Sequence, residues 1–508
     1  MPGATRDFEN RIEAFLQELL EGYTPLKIRG DKIIRDAILG HNVFHPHEVN
    51  LIDSPLMQRL RRVHQTALAY LTYPAATHTR FEHSLGVVIF AQKMINALNS
   101  GSRRGHIKDV KTAELRLAAL LHDVGHCLFS HASEIVYDGW DPAGEIKALK
   151  HVNPELLGEA AGHEILSYYI VRSERFRKLW EDIISNYDMA RGTPLRILSK
   201  VNLKRVANMI IGVKASPDYP LWLSKIINGP FDADKLDYMG RDGYFSGLMT
   251  PIDTDRLFVS LSIFTPRENE PYEPYICVDI GGATVLEQIL FNKMLLFSSV
   301  YNHHKVRGSF RMIASLLQEI RSKQWTVSGT RLKSAVDFLR LDEYDLLNSK
   351  QVNRELRAKV RKLRERILLK RAFVISPQAL KGPASRRKFF ELKRQQGEKN
   401  AMELELAQEA GCDTVFIDFP PRPRVEKIGE QSMIRLSEDT AVPLSTLYPT
   451  SEWIKGYAQI RHRAYVLVPS GYEDAVASLA FKLFAEKGIK LDQELCRELA
   501  KRPRHPGF

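Results

Sequence analysis

The chain has 508 residues, 44% hydrophobic and 26% charged, the composition of an ordinary soluble globular protein, with a length that suggests two to four domains. Four scattered cysteines, Cys127, Cys277, Cys412 and Cys496, lack CxxC spacing and argue against a disulfide framework or a cysteine zinc site, and no fixed-period repeat is visible. The net charge of +12 is concentrated in the basic segment 350–399, which holds 17 Lys and Arg against four Glu, whereas no apolar run approaches bilayer length and the N-terminus lacks a signal pattern. A cytoplasmic protein without a membrane partner is the default expectation.

Phe8, Ile12, Phe15, Leu16, Leu19 and Leu20 mark the apolar face of a first helix that ends before Gly22 and Pro25, within an N-terminal segment 1–26. A short strand-like turn region follows. The next helix has Asp53 or Ser54 as N-cap and Pro55 at its first position, and is expected to carry Gln58, Arg61, His64 and Gln65. After the loop PAATHT, the spacing of Leu85, Val88, Ile89, Ala91, Met94 and Ile95 predicts a helix from about Phe81, with His83 in its first turn. Leu117, Ala118, Leu120 and Leu121 predict a core helix that delivers His122 and Asp123 together at its end. Residues 142–158 read as an irregular excursion, GHEILSYYIV as a helix starting at His163 and Glu164, and 174–226 as amphipathic helices.

FDADKLDYMGRDGYFSG places Asp232, Asp234, Asp237 and Asp242 within eleven positions, together with Lys235, Tyr238 and Arg241. Its apolar residues argue that it packs inward, where so many carboxylates need cations; a solvated acidic turn is the alternative. PYICVDIGG reads as a strand and turn, followed by a long helical region in which Tyr301, His303, His304, Lys305 and Arg307 form either an anion site or a solvated face. From about Lys323 a smaller α+β lobe is expected over 323–508. It contains a basic helix with the apolar stripe Leu356, Val360, Leu363 and Ile367, strands at 414–419 and 464–469, a helix over 473–486, and loops at 381–400 and 420–430. The fold class is mainly α: a helical core over 27–322 with this lobe behind it.

An imidazole and a carboxylate buried side by side are costly unless something binds them. Alone, His122-Asp123 reads as a core histidine beside a capping aspartate. With His83 upstream and Asp234 downstream, the set becomes two imidazoles and two carboxylates, a donor set suited to Zn, Fe or Mn. Such a site generates a hydroxide nucleophile for phosphoester cleavage.

The order H, HD, D resembles that of the HD-domain metal-dependent phosphohydrolases. The surrounding IDSPLMQRLRRVHQ, HTRFEHSLGV, LHDVGHCLFSH and DADKLDYMGRD resemble more narrowly the deoxynucleoside triphosphate triphosphohydrolases of the SAM-and-HD-domain type, over roughly 27–316 and with too few residues before 27 for a SAM domain. The resemblance implies His83, His122, Asp123 and Asp234 as ligands of one divalent transition metal, with Mg or Mn accompanying the triphosphate. It implies Arg80 on the α-phosphate, His126, His131 and His163 along the phosphates, and His131 as the acid that protonates the leaving 5′ oxygen. Glu134 stands where the family has an Asp partnering that histidine. Lys235, Tyr238 and Asp242 would contact phosphate and sugar, Tyr301 would leave no space for a 2′-hydroxyl, and Gln65 would meet the 3′-hydroxyl, with Thr66 standing where the family has Leu. Asp53, Gln58 and Arg61 match the spacing of the family's guanine-nucleotide activator site, or else serve as helix cap and helix surface.

The expected function is therefore hydrolysis of a dNTP to deoxynucleoside and inorganic triphosphate by a homo-oligomer, dimer or tetramer. Two rivals stand beside it. One is an HD phosphodiesterase or nuclease, although no GYP motif is present and HDVGH replaces the HD followed by paired Glu-Asp of alarmone hydrolases. The other is a nucleic-acid-binding protein with a relic HD site, acting through segment 350–399.

Overall fold

In the computed structural model, which describes residues 2–101, 107–139, 144–186, 194–266, 273–348, 353–422, 425–461 and 463–501, the chain is mainly α-helical with small sheets of two to four strands. The helix Val110–Leu121 is buried from Ala113 to Leu121, its apolar residues packing in the core while buried Glu114 and Arg116 pair with Arg205 and Glu48. Helix Arg80–Gly101 packs on one side of it and helix Leu203–Ile210 on another, while helix Ala233–Ser246 crosses Arg80–Gly101. Gly86 permits that crossing: a Cβ there would lie 1.9 Å from Asp237 Oδ1 and 2.6 Å from Arg241 Nη2. The principal core also takes in Phe8, Ile12, Phe15 and Leu16 of the first helix, and Val336, Phe338, Leu356 and Leu363 from beyond residue 322.

A second core begins at Ala372 and gathers around a three-stranded antiparallel sheet in which Ala464–Val468 lies between Lys370–Ile375 and Phe416–Asp418. Helix Glu473–Glu486 covers this sheet, as its sequence predicts. Strand Tyr275–Asp279 pairs in parallel with Met433–Ser437, so the late part of the chain returns to the helical core.

Several local expectations are corrected. Ser54 is the N-cap before Pro55, but the helix is one turn, Pro55–Gln58, followed by a 3-10 turn over Arg59–Arg62. His64 and Gln65 leave the helix because the chain turns to pair with 78–80: Gln65 N donates to His78 O and Arg80 N to Val63 O. The excursion at 142–158 contains helices Glu145–Val152 and Pro154–Leu157, with Ile146 and Leu149 buried; residues 142 and 143 lie outside the described residues. The expected loop at 381–400 is helical, Gly382–Leu392 and the start of Gln396–Glu409, because Phe389, Leu392, Met402 and Leu406 supply a buried stripe beneath the charges. Helix Glu426–Gln431 occupies the second half of 420–430.

Ile367 is 50% exposed, since the basic helix stops at Arg364 and the chain then enters a strand; residues 350–352 of the basic segment are outside the described residues. One helical run, Ile280–Tyr301, is long and apolar enough by composition to cross a bilayer, against the expectation that none is. Its apolar character reflects packing, because 56% of its most apolar window is buried within the protein. Gly86→Ala should force helices Arg80–Gly101 and Ala233–Ser246 apart and destabilise the protein by about 1–3 kcal/mol, measured by urea unfolding.

Candidate active site

His83 is fully buried in the first turn of its helix, and its Nδ1 lies 2.8 Å from Asp237 Oδ2. His122 caps the end of helix Val110–Leu121, with Nδ1 2.8 Å from Ala119 O. Both Nδ1 atoms face acceptors and carry the protons, so both Nε2 atoms present lone pairs, 3.3 Å apart. Asp234 Oδ1 lies 3.0 Å from His83 Nε2 and 3.8 Å from His122 Nε2. Asp123 Oδ1 is 3.3 Å from His122 Nε2, and its Oδ2 is 3.7 Å from His83 Nε2.

Acceptors converging at this spacing repel one another unless a cation lies between them. Among the described residues His83, His122 and Asp234 each bring one ligand atom within 4.8 Å of the others, as donors bound at about 2.0–2.2 Å to one ion require, so these three fit a divalent metal, and Asp123 stands beside the two imidazoles without joining that group. Without an ion, a proton takes its place. Burial pushes the His83 imidazole down, but hydrogen bonds to Asp234 and Asp237 outweigh it and raise the group to about 10. Burial likewise pushes the Asp234 and Asp123 carboxyls up, yet the imidazoles around them hold both well below the usual carboxylate range.

A second histidine group adjoins the first. The His126 and His163 rings stack at 3.9 Å between centroids, and the His131 ring lies 5.2 Å from His126. Glu134 forks between two of them, Oε2 at 2.7 Å from His131 Nδ1 and Oε1 at 3.0 Å from His163 Nδ1. Burial lowers the His163 imidazole, but Glu134 prevails and raises it to about 9. His126 Nε2 lies 3.4 Å from Asp123 Oδ1 without a hydrogen bond among the described residues, and burial with the nearby cations Arg80 and His163 keeps it well below its ordinary value, hence neutral. The His131 side chain is 59% exposed and faces the open space.

That space is a cavity of about 1050 Å³ lined by Gln65, Arg80, His122, Asp123, His126, His131, Glu134, His163, Asp234, Lys235, Tyr238, Asp242 and Tyr301; His83 lies behind its wall. Arg80 extends Nη1 to Asp123 Oδ2 at 2.9 Å and Nε to Ser130 Oγ at 3.0 Å. Lys235 Nζ rests 2.6 Å from Asp232 Oδ2. The Tyr301 hydroxyl donates to Asp242 Oδ2, whose other oxygen is 2.7 Å from His78 Nε2. Asp53, Gln58 and Arg61 lie outside the cavity. Arg61 Nε donates to Gln58 Oε1 at 2.8 Å and its guanidinium covers the Phe81 ring at 3.6 Å.

Residues 80–194 match the HD domain family, and 252–493 match the HD associated region. The chain carries an HD domain followed by an HD-associated region. It is 29% identical to an uncharacterized protein of Methanocaldococcus jannaschii over 84% of this chain and 76% of that protein. It is 30% identical to the deoxynucleoside triphosphate triphosphohydrolase SAMHD1 of Bos taurus over 44% of this chain and 37% of that protein. The homolog of that enzyme in Dictyostelium discoideum is 26% identical over 62% of this chain and 54% of its own length. The chain thus spans about a third to a half of the triphosphohydrolases it matches.

Sequence reasoning left several residues around the HD domain without a role. Asp237 orients His83, and its position three residues after Asp234 and four before Arg241 on one helix was the available signal. Arg59 clamps the segment after Asp123, donating to His126 O at 2.8 Å and to Val124 O. Gly125 has no space for a side chain, since a Cβ would lie 2.2 Å from His163 O. Of the cluster Tyr301 to Arg307, Tyr301 and Arg307 face the cavity while His303 caps helix His304–Ser322, so it is neither wholly an anion site nor a solvated face.

Glu134→Gln should lower the His163 titration midpoint from about 9 toward the ordinary range, read by NMR on the metal-free protein. Because the folded value is raised, the stability His163 contributes is fully present below about pH 6.5 and fades as pH rises through about 9. A midpoint unmoved by the substitution would contradict the fork.

Proposed function

We propose that the chain hydrolyses deoxynucleoside triphosphates to deoxynucleoside and inorganic triphosphate, by attack of water on the α-phosphorus. The observation that carries this reading is the opening of the converging acceptors and the His131–Glu134 pair onto one cavity with Arg80 in its wall. The relatives named as triphosphohydrolases support the choice of substrate. His83, His122, Asp123 and Asp234 would hold a divalent ion, Zn, Fe or Mn, which when bound would supply Lewis acidity, and Mg or Mn would accompany the triphosphate.

The rest of the work falls to the protein. Arg80 offers a planar fork of donors to the α-phosphate. Burial pulls the Lys235 amine down, but Asp232 and Asp234 raise it above its ordinary value, so it stays charged and stabilises negative charge developing on the phosphates. Neutral His126 and charged His163 line the same wall. Glu134 fixes Nδ1 of His131, which leaves Nε2 to protonate the departing 5′ oxygen. His78 and Asp242 lock the Tyr301 hydroxyl, which sets the ring where a 2′-hydroxyl would clash. Gln65 Oε1, buried without a hydrogen-bond partner among the described residues, would accept from the sugar 3′-hydroxyl, and Tyr238 closes the sugar side. A guanine nucleotide at Asp53, Gln58 and Arg61 would act from outside the cavity, in a dimer or tetramer.

The purified protein with Mn or Mg and each dNTP, with and without GTP, should release deoxynucleoside and inorganic triphosphate, resolved by ion-exchange chromatography. Release of diphosphate or monophosphate instead, or no turnover, would overturn this reading, and cleavage of nucleic acid alone would point to a phosphodiesterase or nuclease. His131→Ala should lower kcat by about a hundred- to ten-thousand-fold with metal content intact. Asp123→Ala should lose metal and turnover together, and retained activity would overturn the ligand assignment.

A further inference from the structure

The cavity does not end at the phosphate-facing residues. Its roughly 1050 Å³ reaches the top of the range of about 300–1,000 Å³ that holds a whole small-molecule ligand, and its far end is walled by the HD-associated region. Helix His304–Ser322 brings Arg307 there. Its buried guanidinium makes a two-pronged pair with Asp418, at 2.8 and 2.7 Å, and lies over the Phe310 ring at 4.6 Å. One turn later, Arg311 pairs with Glu403 at 3.2 Å. These two pairs engage Asp418 and Glu403.

Three cations remain. Lys393 is a partly buried part of the cavity wall whose amine makes no hydrogen bond or ion pair among the described residues, and it feels the charges of Arg422 and Arg307 with only Asp418 opposing them. Arg422, also in the wall, lies over the Phe390 ring at 5.3 Å. Lys399 is 5% exposed behind them, among Arg311, Arg307, Glu403 and Asp418, and its amine likewise has no hydrogen bond among the described residues. Burial pushes Lys399 down to about 8. Cations gathered around acids already engaged are costly, and a bound anion removes the cost. The wall between them is apolar, formed by Phe310, Phe419 and Pro421.

We propose that this far end is a second phosphate-binding subsite, in which Lys393 and Arg422 hold the phosphate of a small polyphosphate or phosphate ester and Phe419 forms the apolar side. The subsite uses none of the residues gathered around His83, and it does not depend on the hydrolytic reading because its test involves no turnover. The full-length protein in EDTA is titrated by calorimetry with two probes, inorganic triphosphate and AMP. Triphosphate affinity that falls at least tenfold in the Lys393→Ala/Arg422→Ala protein, but persists as one binding event in Lys235→Ala, identifies a polyphosphate subsite. The same pattern for AMP alone identifies a nucleotide subsite in which the apolar wall holds the base. If neither probe distinguishes the double variant from the parent, the subsite does not exist. Should the double variant melt earlier than the parent, Lys393→Gln carries the same expectation, and Lys393→Arg should restore binding.

Discussion

The carboxylate of Asp237 sets the geometry on which the metal end depends. One oxygen accepts from His83 Nδ1 at 2.8 Å, and the pair of oxygens takes Arg241 Nε and Nη2 at 2.8 and 2.9 Å. Arg241 in turn reaches Asp36 of the hairpin Lys32–Asp36 and Gly40–Phe44 at 2.9 Å. Burial pushes the Asp237 carboxyl up, but Arg241 and His83 overcome it and hold the group ionised. A carboxylate so fully engaged is not itself available to a metal; it fixes the tautomer and direction of the His83 ring. Gly86 leaves room for it between two helices. Helix packing and site chemistry are therefore one constraint, because a side chain at 86 would displace the acid that aims His83.

A second network couples the HD-associated region to the same site. Glu343 accepts from His64 N and Phe129 N and lies 2.6 Å from His64 Nδ1. Ser130 Oγ donates to His64 O at 2.7 Å and accepts from Arg80 Nε. These bonds hold Phe129 and Ser130 at φ of 56° and 50°, a left-handed pair that costs of order 1–3 kcal/mol per residue and persists only where surroundings impose it. The turn orients Arg80 on one side and begins the His131 segment on the other. Its stabilising carboxylate comes from residue 343, so the HD-associated region completes the HD site as well as flanking it.

The residues that gather around His83 were legible as candidates because each signal is local: an apolar stripe that stops at His122-Asp123, a histidine in a first turn, and aspartates on a helix. Their convergence was legible only through motif order, since periodicity says nothing about which helices cross. Between Asp234 and Asp237, sequence shows two acids on one helix; the difference lies in Arg241, which claims the second. The helices over 381–400 were hidden because their buried positions, Phe389, Leu392, Met402 and Leu406, are outnumbered by charges, and composition dominated the reading. The tight turn at Phe129 and Ser130 carries no glycine or proline, so no local residue announces it.

Part of the basic surplus of segment 350–399 is engaged within the protein itself, although Arg354, Arg357, Arg361, Arg386, Arg387 and Arg394 are exposed. Lys359 pairs with Glu319 of helix His304–Ser322, and Lys362 with Asp413 at 2.8 Å, which ties part of the surplus to the protein's own acids. Lys393 and Lys399 turn toward the joint with the helical core, where helix His304–Ser322 brings Arg307 and Arg311 against them. Charge directed into a concave, partly apolar space raises the local concentration of small anions more than charge spread over a convex face, because low-dielectric walls focus the field. The end around His83 gathers acceptors that suit a cation, and the far end gathers cations whose neighbouring acids, Asp418 and Glu403, are already paired with Arg307 and Arg311. One cavity thus has two ends of opposite need, and a ligand bearing both phosphates and a divalent ion satisfies the first without addressing the second.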